Sequence, residues 1–120
     1  MEIVRYTESY ECLLFDLIQT EPEWETYFNQ KPMYSEALNQ STVFIILDNE
    51  QCVGFIRGKD DSGFGFYVYD LLIRQDYRGH GFGKQLIDHV RLFYEPVYVM
   101  SDVDRYYEKI GMSKIGSIFE

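Results

Sequence analysis

The chain has little of what usually stiffens or staples a small protein. It contains only two cysteines, Cys12 and Cys52, and three prolines. Two thiols cannot make a disulfide framework, so the fold must rest on a packed apolar core. Both cysteines lie in apolar sequence and read as reduced core thiols. No apolar run approaches the roughly 18 residues that a membrane-spanning helix needs, so no membrane partner is expected. MEIVRYTESY lacks a basic stretch followed by an apolar one, so no signal peptide is expected and the protein reads as cytoplasmic. Positive charge is scarce: 11 Lys and Arg against 20 Asp and Glu give a net charge of −9. That argues against nucleic acid, whose phosphates need a basic footprint. It suits a cationic small molecule, which an acidic surface would steer inward.

What is present fits one domain over residues 1–120. Apolar residues make up 46% of the chain, ample for one core and too short a sequence for two. IVRYT (3–7) reads as a strand. Leu13, Leu14, Leu17 and Ile18 recur at helical spacing, and Pro22 suits the start of a second helix carrying Trp24, Tyr27 and Phe28. TVFIILD (42–48) and QCVGFIRG (51–58) flank an Asn49-Glu50 turn and read as a hairpin. KDDSG (59–63) turns the chain into a third long strand, GFYVYDLLIR (65–74). Leu86, Ile87, Val90, Phe93 and Tyr94 then mark one face of a helix that Pro96 must end. VYVM (97–100) is a short strand. Ser101 is expected to cap a helix with Asp104 as its partner, and Gly111 to stop it. SKIGSIF (113–119) reads as a closing strand. The expected class is α+β: a mostly antiparallel twisted sheet flanked by helices, with one β-α-β crossover.

Between the third strand of the meander and its following helix stands YRGHGFGK (77–84), with glycine at every second position. A loop that opens a helix turns free N–H groups toward whatever lies at the helix N-terminus, which is the general form of an anion site. It is not a P-loop, because Gln85 follows Lys84 where serine or threonine is required. It is not a dinucleotide fingerprint either, since Gly83 comes one residue early and the preceding strand belongs to a meander. What fits is R-x-x-G-x-G, formed by Arg78, Gly81 and Gly83.

On these residues the chain resembles the GNAT superfamily of N-acetyltransferases. LLIRQDYRGHGFGKQLI resembles the family's strand, loop and helix, and YYEKIGM its F-Y-x-x-x-G-F segment. The order of elements matches from residue 3 to about 119. The sequence departs from the pattern where Arg74-Gln75-Asp76 replaces a proline, where Met112 replaces an aromatic, and where one terminal strand is evident in place of two. The last departure leaves open a sheet completed by a second copy, that is, a homodimer.

The resemblance implies acetyl-CoA as co-substrate and a small-molecule amine as acceptor. It implies that Arg78, Gly79, His80, Gly81, Phe82, Gly83 and Lys84 hold the pyrophosphate, largely through backbone N–H groups. The pantetheine arm would pair with the backbone of Leu71, Leu72 and Ile73, with a backbone N–H near Leu72 meeting the thioester oxygen. Tyr107 matches the family's tyrosine general acid, whereas Tyr106 stands where the family has a packing phenylalanine. Some of Trp24, Tyr27, Phe28 and Tyr34 are expected to wall the acceptor pocket.

Asp70 interrupts the apolar strand YVYDLLI, where an ionised carboxylate is costly unless paired. It is either a general base or ammonium anchor, or the structural partner of an arginine or of a local backbone irregularity. YVYDLLI also resembles the same strand in aminoglycoside 3-N-acetyltransferases. His80 and His89 read as exposed, and no residues have metal-ligand spacing. A catalytically silent acyl-CoA-binding module on the same fold is the alternative reading, and a small structural partner subunit a more distant one.

Overall fold

The computed structural model describes all 120 residues. Five strands form one sheet in the order β1-β2-β3-β4-β5. These are β1 (Glu2–Arg5), β2 (Thr42–Asp48), β3 (Gln51–Asp60), β4 (Phe66–Ile73) and β5 (Val97–Val99). The first four run antiparallel, and β5 joins β4 in parallel. A parallel neighbour needs a crossover, and α4 (Phe82–Arg91) supplies it. At the hairpin, Asn49 and Glu50 both have positive φ, 50° and 63°, the handedness that matches the twist of the flanking strands.

The helices divide between the two faces of the sheet. On one face lie α1 (Glu11–Gln19), α2 (Glu25–Asn29) and α3 (Lys31–Asn39). Leu14, Phe15, Leu17 and Ile18 of α1, with Tyr34 and Leu38 of α3, are packed there against Val43, Ile45 and Phe55. On the other face Leu86, Ile87 and Val90 of α4 pack on Phe44, Ile46, Val53, Ile56, Phe66 and Val68, and α5 (Asp104–Lys109) borders this cluster. The mixed sheet with one crossover is the α+β architecture expected from the sequence.

Several local expectations need correction. The second helix is split: a 3-10 turn at Pro22–Trp24 leads into the short α2, and α3 follows as a separate helix with Pro32 in its first turn. Cys12 is exposed, because the buried face of α1 is set by Leu14, Phe15, Leu17 and Ile18; only Cys52 is a core thiol. His89 is half-buried, its ring edge-on to Phe44 at 4.7 Å. α4 stops at Arg91, leaving Phe93 largely exposed. Ser101 does not cap α5; its hydroxyl accepts from the Val103 N–H, and the helix begins at Asp104.

Residues 113–119 form no strand, and Ile115, Ile118 and Phe119 are exposed. Ile115 and Ile118 are three apart, which would put them on opposite faces of a strand, and Gly116 between them gives no packing. Beside this segment an open cleft of about 980 Å³ runs along β5 and α5, touching Tyr98, Val99 and Tyr107.

Candidate active site

β4 and β5 stay paired only from Phe66↔Val97 to Val68↔Val99, with a last hydrogen bond from the Met100 N–H to the Val68 carbonyl, 3.0 Å. Beyond it β4 runs on to Ile73 with no partner on its β5 side. Its register against β3 slips at the same place: Arg57 faces Asp70 while Gly58 faces Val68, so Tyr69 is an extra, bulged residue. The bulge turns Asp70 and Leu72 toward the α1–α3 face, whereas Val68 faces α4. The N–H of Arg74 bonds to the Val53 carbonyl at 2.8 Å. Antiparallel alternation then directs the backbone groups of Leu72 and Asp70 to β3, and those of Leu71 and Ile73 to the side β5 has left. The backbone N–H groups near Leu72 that are turned away from β3 are therefore those of Leu71 and Ile73.

The open edge of β4 leads into the glycine loop. Gly79 and Gly81 have φ of +83° and +82°, a left-handed conformation that favours glycine, and Gly81 is the N-cap of α4. No backbone N–H from Gly79 to Lys84 donates to any acceptor within the chain. Gly83 is glycine for a different reason. It is buried in the first helical turn, and a Cβ there would overlap the hydroxyl of Tyr106 on α5.

The loop's side chains have other partners. Arg78 holds the Ile73 carbonyl at 2.9 Å and pairs with Glu21 at 2.5 Å, tying the loop to the end of β4 and to the segment after α1. Lys84 pairs with Asp88 one turn along α4, and His80 is exposed. Phe82 is half-buried against the α4 cluster. The backbone, with these side chains turned aside, is what the loop offers an anion.

Asp70 is 5% exposed and the one charged residue in the buried set. Its Oδ2 accepts from Arg57 Nε at 2.5 Å and from the Tyr34 hydroxyl at 2.6 Å, and its Oδ1 from the Tyr27 hydroxyl at 3.3 Å. Arg57 also donates to Ser41 at 3.1 Å and lies 5.4 Å from the ring centres of both Tyr34 and Tyr69. Burial pushes the Tyr34 phenol far up, and the neighbouring Asp70 charge adds to it. Tyr27 is raised by the same two causes in the same order. Asp70 thus has an arginine partner, Arg57. Arg57 was not singled out in the sequence, although a basic residue set in the apolar run of one strand beside a lone acidic residue in the next is a readable signal.

Tyr107 sits half-buried against the α4 cluster, its phenol raised to about 12 by burial and then by Tyr106 and Asp102. Trp24, Tyr27 and Tyr34 form a packed aromatic row: Trp24 lies edge-on to Phe55 at 5.7 Å, and Tyr27 stacks on Tyr34 at 4.5 Å.

Residues 5–96 match the acetyltransferase (GNAT) family. This chain belongs to that family. The match includes the bulged β4, the glycine loop and α4, and stops short of Tyr106 and Tyr107. The chain is 36% identical over 95 residues to the uncharacterized N-acetyltransferase ycf52 of Pyropia yezoensis, covering 65% of this chain and 52% of that protein. It is 35% identical over the same length to ycf52 of Porphyra purpurea. The chain thus spans about half the length of the curated relatives it matches.

Solved acetyltransferase structures share its fold at low identity. An aminoglycoside acetyltransferase, HMB0005, from an uncultured soil metagenomic sample superposes with a TM-score of 0.79 at 20% identity, covering 99% of this chain and 95% of that one. Aminoglycoside N-acetyltransferase AAC(6')-Iy in complex with CoA gives 0.75 at 12%, covering 99% and 91%. A third, meta-AAC0020 in complex with sisomicin, gives 0.73 at 23%, covering 99% and 94%. The positional type that these neighbours' names carry is mostly 6', so they do not single out the 3-N enzymes that YVYDLLI resembles.

Proposed function

We propose that the chain is an acetyl-CoA-dependent N-acetyltransferase that acylates a small cationic amine by direct attack in a ternary complex. One observation carries the reading: the unbonded N–H groups of residues 79–84 continue from the free backbone edge of β4. A strand edge suits the amide-bearing arm of CoA, and a run of N–H groups at a helix N-terminus suits its pyrophosphate. No metal is needed for this chemistry, in which CoA brings an activated thioester.

The free amine attacks the thioester carbonyl, the C–S bond breaks, and the thiolate leaves with a proton. The N–H of Leu71 or Ile73 would steady the oxygen as it gains charge. Tyr107 is the proposed proton donor, because burial keeps its phenol protonated throughout the neutral range. Asp70 is the acceptor-side carboxylate. Its Oδ2 is committed to Arg57 and Tyr34, while Oδ1 has only the long contact with Tyr27. Oδ1 is therefore the oxygen left to engage an ammonium or take its proton.

The commitment of Asp70 to Arg57 is also the observation that favours the second reading, a silent acyl-CoA-binding module. Screening cationic amines, aminoglycosides among them, for CoA release separates the two: turnover supports the enzyme, and CoA binding without turnover on any amine supports the module. The free edge of β5, with Ile115, Ile118 and Phe119 exposed beside it, supports self-association, which sedimentation would test. No helix is long and apolar enough to cross a membrane. Two unpaired thiols suit a reducing cytoplasm as the proposed location.

A further inference from the structure

Two side chains tie the start of the glycine loop to distant parts of the chain. The Tyr77 hydroxyl donates to Asp48 at the end of β2, 2.7 Å away. Arg78 reaches the other way, across 57 residues of sequence, to Glu21. Its guanidinium thus joins the Ile73 carbonyl, at the end of the open β4 edge, to a carboxylate on the α1–α3 side. The Glu21 side chain is 12% exposed and has no other cation, so its charge depends on Arg78. Beside the pair the two segments stand apart, around a hollow of about 380 Å³ lined by Thr20, Arg74, Gln75 and Asp76. The ion pair spans that gap.

Glu21 is also where the aromatic row begins. Its N–H bonds to the Ile18 carbonyl at the end of α1, and its own carbonyl accepts from the Trp24 N–H, both at 3.0 Å. The second bond closes the Pro22–Trp24 turn. Trp24 lies edge-on to Phe55 and to Tyr27, and Tyr27 reaches Asp70 Oδ1. Movement of Arg78 with the loop would leave Glu21 half-buried and unpaired unless Glu21 followed, and Glu21 carries the turn with it.

We propose that the Glu21–Arg78 pair couples the glycine loop to the acceptor wall, so that CoA seated on the loop sets Trp24 and Tyr27 for the amine. Glu21 acts through Arg78 and the Pro22–Trp24 turn, and is a positioning residue. Coupling of this kind is reciprocal, so the amine in turn favours the cofactor. The inference rests on the CoA-binding reading given above.

Trp24 is the chain's one tryptophan and stands three residues past Glu21, so its emission reports on the wall directly. CoA titrated into the full chain should change that emission along the same saturation curve that calorimetry gives. Glu21→Gln keeps the side chain's shape and removes its charge, and Arg78, half exposed, tolerates the loss. This variant should bind CoA within roughly tenfold of the wild type and lose most of the emission change. Tyr77→Phe, which cuts the tie to β2, should keep the change. A full emission change in Glu21→Gln, or an equal loss in Tyr77→Phe, would overturn the proposal. So would CoA binding to the wild type with Trp24 silent, or a Glu21→Gln that binds no CoA, which would make the pair a prop of the loop alone. A wild type that binds no CoA by calorimetry would instead overturn the cofactor reading, and the coupling with it.

Discussion

Arg57 and Asp70 face each other across β3 and β4, Nε 2.5 Å from Oδ2, at the residue where the β4 bulge begins. The pair is buried, with side chains 13% and 4% exposed, so each charge depends on the other. Burial works against the Arg57 guanidinium, and the charge and hydrogen bond of Asp70 more than restore it. Because Arg57 also lies over Tyr69, the extra residue of the bulge, the pair fixes the stretch of β4 whose open edge the cofactor would use.

Asp70→Asn should consequently destabilise the fold by about 3–5 kcal/mol, since it leaves Arg57 buried without its counter-charge. Replacing both partners, Asp70→Leu with Arg57→Met, should recover much of that stability, as an apolar pair leaves no orphaned charge. Turnover should not return in the double variant, because Oδ1 is gone. Thermal melts and kcat/KM per folded molecule on the three proteins check this. Full turnover in the double variant would remove Asp70 from the acceptor site.

The strands, the crossover and the loop were legible because each has a local signal: alternation in β2–β4, 3.6-residue periodicity in α4, glycine at positive φ in the loop. α3 was missed although Tyr34, Ala37 and Leu38 have helical spacing, because Pro32 reads as a break unless it is placed in the first turn. For Arg57 and Asp70 the charge types were readable in adjacent strands, but their register was not, because the bulge that sets it leaves no mark in composition. Nor does sequence tell which of two adjacent tyrosines turns toward α4. That depends on how α5 docks, a tertiary choice.

Gly81→Glu should abolish CoA binding while Gly81→Asn retains most of it. Both substitutions must accept φ of +82°, which asparagine does at little strain. Only glutamate brings negative charge to the N–H run of the loop. Calorimetry on the pair separates backbone strain from charge. Equal loss in both would mean that the loop's shape alone had been damaged.

Tyr107→Phe keeps the ring and removes the acid. CoA affinity should stay within twofold, and kcat should fall roughly 10²-fold or more. An unchanged kcat in Tyr107→Phe would leave that tyrosine a packing role only.

The alkaline limit of stability should be set in part by Cys52. Burial raises its thiol from 9.0 to about 12, outweighing a smaller lowering by the Gly54 backbone. The folded protein thus holds the thiol proton more tightly than the unfolded chain does. Its contribution is whole below pH 9, where both states are protonated, and is lost as pH climbs from 9 toward 12. Unfolding free energy should decline over that window at up to about 1.4 kcal/mol per pH unit from this one group. Tyr6 and Tyr107, each raised from 10.0 to about 12, should steepen the fall above pH 10. Cys52→Ala should flatten the curve between pH 9 and 10, before the tyrosines contribute, at the cost of a small cavity. Urea titrations at half-unit steps would show it, and an unaltered slope in Cys52→Ala would mean that the thiol meets water in the folded state.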